Sequence, residues 1–168
     1  HSALAMTSSW QINERVDGFS DKSQIVASTS YRDGLYRRTL SVNCTGNSLG
    51  TFVDFGEFMG EDEISIRYRI DKKDVSIEER ALLSADGKGV FVGDDDLGFS
   101  RDISGGSSLL FEATDFRDVP HRIQFNLEGA AEKIGIVLNR CGFSLAGISS
   151  KFPPIRREIG LELDRWGP

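Results

Sequence analysis

Cysteine, histidine and carboxylate are the side chains through which this chain could do chemistry, and their spacing bounds what that chemistry is. Cys44 ends an alternating, strand-like run, and Cys141 closes the one convincing helical segment. Paired, they would staple a single domain, close a loop of about a hundred residues and constrain the unfolded chain by roughly 4 to 5 kcal/mol. Such a bond belongs to an oxidising compartment, whereas unpaired the two would be buried thiols of a cytosolic core. There is no CxxC pair, and the only histidines are His1 and His121, so a metal site would have to be built from carboxylates alone.

The carboxylates fall in two groups: Asp54, Glu57, Glu61, Asp62 and Glu63, then Asp94, Asp95 and Asp96. General acid-base catalysis needs one carboxyl desolvated and a second kept ionised. Adjacent acids on polar turns stay solvated, so both groups read as solvated faces. The second lacks the spacing and closing glutamate of an EF-hand loop. A serine nucleophile would need His121 as its base. That residue stands beside Pro120 at the start of a run whose Ile123, Phe125 and Leu127 share its side, which is the place of a partly buried structural imidazole. Neither a GxSxG elbow nor a glycine-rich phosphate loop is present. No catalytic residue, metal or cofactor is expected.

The elements that position these residues are mostly strands. Ile64-Ser-Ile66-Arg-Tyr68-Arg-Ile70 alternates apolar with polar, as a half-buried strand requires. Arg38 to Cys44 and Thr51 to Phe55 read as a hairpin around Gly46 to Gly50, while Asp33-Gly34 and Asp86-Gly87 read as tight hairpin turns. With Val75 to Leu83, Val90 to Val92, Leu109 to Ala113 and His121 to Leu127, the chain predicts about eight or nine short strands, as in an antiparallel β-sandwich. The period then changes: Ala130, Ile134, Val137, Leu138 and Cys141 recur at helical spacing, with Gly142 as the left-handed cap. Cys141 would face the sheet, which places it within reach of Cys44. The aromatics Phe52, Phe55, Phe58, Tyr68, Phe91, Phe99 and Phe111 fall mostly at inward strand positions and read as core.

The predicted organisation is a cloning remnant over 1–8, a β-sandwich domain with its C-terminal α-helix over 9–143, and an extended tail over 144–168. In the tail, Phe152-Pro153-Pro154 acts as a spacer. Ile159, Leu161 and Leu163 then alternate with acids up to Trp166, as in an edge strand or a segment that docks on a partner by strand addition. An exposed tryptophan at either end, Trp10 or Trp166, would serve as an interface anchor.

A chain of 168 residues supports one domain with a real core. No apolar stretch reaches the roughly 20 residues needed to span a bilayer. The net charge of -6 is shared evenly by the two halves, with no basic tract along the chain, which argues against nucleic acid as a partner. With the disulfide, the expectation is a periplasmic or secreted protein whose signal peptide has been removed.

The order of motifs resembles the VasI/TagO accessory proteins of type VI secretion, or a wider set of periplasmic proteins sharing their module. The resemblance runs from Trp10 through Asn43-Cys44-Thr-Gly46-Asn47, Phe52-Val-Asp-Phe55-Gly56, Arg67-Tyr-Arg69-Ile-Asp71 and Leu83-Ser84-Ala-Asp86-Gly87-Lys88. It closes with Phe125-Asn-Leu127-Glu-Gly129 and Leu138-Asn-Arg-Cys141-Gly-Phe143. Two tryptophans of that pattern are replaced here, by Ala81 or Leu82 and by Phe143. The resemblance implies an exported, disulfide-bonded, non-enzymatic accessory or binding protein of an envelope or secretion assembly. A second reading is an inhibitor or immunity protein that inserts the acidic loops at Glu61, Asp62, Glu63 and Asp94, Asp95, Asp96 into a basic catalytic groove. A third is a hydrolase acting through a carboxylate pair.

Overall fold

A computed structural model describes residues 9–145, so the opening segment and the tail positions Ile159, Leu161, Leu163 and Trp166 lie outside the described residues. Two antiparallel sheets face each other. The first runs β1 (Gln11–Val16), β2 (Ser23–Asp33), β3 (Tyr36–Thr45), β4 (Ser48–Asp54) and β7 (Gly89–Phe91); the second runs β6 (Ser76–Leu82), β5 (Glu63–Ile70), β8 (Ser108–Thr114) and β9 (Pro120–Asn126). The period-two pattern explains the layering, because alternate residues of each strand must face one side. Leu40, Val42 and Val53 from the first sheet meet Ile66, Leu109, Phe111, Ala113 and Ile123 from the second, all buried. The expected sandwich is the observed fold.

One end of the sandwich is closed by helices. α2 (Ala130–Arg140) buries Ala130, Ile134, Val137 and Leu138, the face its spacing predicted. It stops in a Schellman arrangement: Gly142 has φ 87°, its N–H donates to Asn139, and the Phe143 N–H reaches the Leu138 carbonyl at 2.8 Å. Cys141, at the cap, is disulfide-bonded to Cys44 of β3, with the Cα atoms 5.8 Å apart. α1 (Asp96–Ser104) was not expected from the sequence. The Asp95 carboxylate caps it by accepting from the Gly98 N–H, and Phe99 and Ile103, one helical turn apart, enter the core. Phe99 is thus a core residue of a helix, not of a strand.

Two further expectations are corrected and a third is refined. Trp10 is 5% exposed, and its indole N–H donates to the Asn126 carbonyl, so it seals the side between β1 and β9 and is not an exposed anchor. The Asp86-Gly87 turn is a tight hairpin turn, with the Ser84 N–H donating to the Gly89 carbonyl and Leu83 bridged to Val90, but the strands beside it belong to different sheets, β6 pairing with β5 and β7 with β4. Phe58 and Phe91 are exposed, Phe91 because it lies on the outer face of the first sheet against Phe52.

Candidate functional site

Opposite the helices, the sandwich is closed by charge. β3 brings Arg38 inward at its start, two residues before Leu40 on the same face, so a guanidinium occupies a core position and is 6% exposed. A buried cation needs acceptors. Arg38 finds the Phe55 carbonyl at 2.6 Å, Glu57 at 2.9 Å and Asp33 at 3.3 Å, and it lies over the rings of Tyr36 and Phe55.

The β8–β9 loop supplies the second half. Asp115, with its side chain wholly shielded from solvent, accepts from Arg117 Nη2 at 2.7 Å and from the backbone N–H groups of Arg117 and Val119 at 2.8 and 3.0 Å; His121 Nε2 lies 2.8 Å away. Burial alone pushes this carboxyl upward. The Arg117 guanidinium, His121 and the two amides outweigh it and hold Asp115 well below the usual carboxylate range. The other imidazole nitrogen faces Glu57 at 3.5 Å. His121 therefore links the two halves, and its predicted place as a partly buried imidazole on the side of Ile123 and Phe125 is the one observed.

Above this base stand two exposed aromatics. Phe58 and Phe116 meet edge to face with centroids 5.5 Å apart, and Arg117 lies over the Phe116 ring. Backbone bonds tie their loops together: the Phe116 N–H donates to the Met59 carbonyl at 2.9 Å and the Met59 N–H to the Gly87 carbonyl at 2.7 Å. Gly87 is required there, since a Cβ would lie 2.4 Å from the Gly60 oxygen and 2.6 Å from the Phe58 ring, at φ +72°.

The predicted acidic positions divide. Glu57 joins this site and Asp54 caps the Gly56 N–H. Glu61, Asp62 and Glu63 are exposed, with Glu63 paired to Arg80. Asp95 caps α1 and Asp96 accepts from the Thr51 hydroxyl at 2.6 Å, while Asp94 and Asp95 line a cleft of about 250 Å³ beside Tyr68, Glu78 and Phe99. Among the described residues, no three His, Cys, Asp or Glu side chains converge on one point as metal ligands would. Arg38, Asp115, Phe116 and Arg117 were not singled out from the sequence. An arginine at the inward phase of Arg38-Thr-Leu40-Ser-Val42 was the available signal.

No protein-family model matches this chain, and no curated protein or solved structure matches it significantly. No helix among the described residues is long and apolar enough to cross a membrane.

Proposed function

We propose that this chain is an exported, non-enzymatic accessory protein of a cell-envelope or secretion assembly, acting by binding another protein. The observation that carries the reading is the pair Phe58 and Phe116, exposed, packed edge to face on loops that backbone hydrogen bonds tie together, and flanked by Arg117. Aromatic side chains and arginine are enriched at the cores of protein interfaces, and surfaces held in their bound arrangement lose less entropy on docking. The acids beneath them suit a scaffold better than a reaction. Asp115 and Glu57 each have a cationic partner, and the displaced carboxyl moves down, away from the range a general acid needs. The Cys44–Cys141 bond supports a periplasmic or secreted location, and the resemblance to VasI/TagO proteins supports the envelope setting.

A photo-crosslinker placed at Phe116, and in a separate chain at exposed Phe19, tests this in cells that export the protein. A discrete adduct at Phe116 that disappears with Phe58→Ala, and is not formed from Phe19, is the expected result. Equal labelling from both sites, or none at Phe116, would overturn the reading. The inhibitor reading has less support, because Glu63, Asp95 and Asp96 already serve local partners. Charge reversal at Glu61, Asp62 and Asp94 that abolished protection against a toxin would revive it.

A further inference from the structure

The outer face of the second sheet joins the alternating Arg67 and Arg69 of one strand to Arg122 from another. Register sets Arg67 of β5, Glu112 of β8 and Arg122 of β9 in one row across three strands, with Ile77 of β6 beside Arg67. The next row holds Arg69 and Leu110, and the two rows bound a shallow cleft of about 120 Å³ that Val75 also lines. Three guanidiniums face one carboxylate there, on a molecule whose net charge is -6.

These guanidiniums are held in place and retain free donors. Arg67 gives one N–H to Glu112 at 2.6 Å, Arg122 gives two to the same carboxylate, and Arg69 gives two to the carbonyls of Lys73 and Lys72. Each guanidinium carries five N–H groups, so every one has donors left for a second acceptor. Glu112 itself is held below its ordinary range, first by Arg67 and then, against its burial, by Arg122, so it remains an anchor for both.

We propose that this face receives an extended, acidic segment of a partner protein. Arg67 and Arg69 are two residues apart on one strand, about 7 Å, which is also the spacing of alternate side chains on an extended chain. Acids at alternate positions would point together at the two guanidiniums, their methylene stems lying along Val75 and Leu110, while the residues between them face away from the sheet. The acidic remainder of the surface repels the same segment, so charge selects this face and this orientation. The inference rests on the protein-binding reading but uses a surface separate from Phe58 and Phe116.

The test is titration of the full chain with a synthetic peptide of alternating glutamate and valine, followed by NMR shift mapping at low salt. Shifts centred on Arg67, Arg69, Leu110 and Arg122, binding weakened roughly tenfold by Arg67→Gln with Arg69→Gln, and affinity falling with added salt are expected. Phe58→Ala should leave peptide binding unchanged, so failure at one surface is distinguishable from failure at the other. Shifts at another face, equal affinity in the arginine variants, or inorganic phosphate binding as tightly as the peptide would each overturn the proposal. So would a concentration-dependent dimer that buries this face. Because the mapping uses the unmodified chain, it stands even if a variant fails to fold.

Discussion

His121 Nε2 sits 2.8 Å from Asp115 Oδ2, and this contact ties the first residues of β9 to the turn that precedes them. The carboxylate also gathers Arg117 and two backbone amides, so one buried acid organises the whole loop that presents Phe116. Asp115→Ala would leave those donors without their acceptor and cost about 2 kcal/mol or more in urea unfolding.

The same residue sets an acid dependence. Its folded pKa lies below the unfolded value near 3.9. The unfolded chain therefore takes up the proton first; the stabilisation is complete above the ordinary carboxylate range and is lost as pH falls through it. Urea midpoints measured from pH 6 down to pH 3 should decline in the parent chain and decline less in Asp115→Asn.

Arg38 and Glu57 make a second test, because breaking a buried pair costs more than the pair contributes. Arg38→Ala leaves the Phe55 carbonyl and Glu57 facing a void and should cost about 3 kcal/mol. Arg38→Lys should recover only part of this, since a single ammonium cannot reach the Phe55 carbonyl, Glu57 and Asp33 as the forked guanidinium does. Chemical denaturation of both variants checks the order.

Gly87 and Gly34 separate two kinds of glycine requirement. Both have positive φ, but a Cβ at Gly34 meets nothing, whereas at Gly87 it collides with the Gly60 carbonyl and Phe58. Gly34→Ala should cost about 1 kcal/mol and Gly87→Ala clearly more, about 2 to 3 kcal/mol. Thermal melts of the two variants side by side would show it, and the Phe116 crosslink should weaken only in Gly87→Ala.

Removing the disulfide through Cys44→Ala with Cys141→Ala should lower stability by about 2 to 5 kcal/mol. The parent chain under reductant should approach the double variant in melting temperature, and the variant itself should not respond to reductant.

The strands from Ile64 to Ile70 and the helix at 130–140 were legible because each buries one face, and burial writes its period into the sequence. α1 was hidden by its own start: Asp94, Asp95 and Asp96 read as a solvated loop, and Gly98 weakens the helical signal, although Asp95 followed by Phe99 and Ile103 was a cap and a face. The charged end could not be read locally. Asp33 with Arg38, Glu57, and Asp115 with His121 come from three separate stretches of the chain, and the packing of the two sheets brings them together. Of the arginine rows, Arg67 and Arg69 were visible as alternate residues of one strand, whereas Arg122 joins them only through the pairing of β5 with β8 and β8 with β9.

Trp10 gives the molecule a built-in optical gauge. Its indole is enclosed and bonded to the Asn126 carbonyl, so in a Trp166→Phe background the one remaining tryptophan, excited at its red edge, sits where β1 meets β9. A red-shifted emission at denaturant concentrations that leave circular dichroism intact would then mean that the sandwich opens along that seam before its sheets come apart.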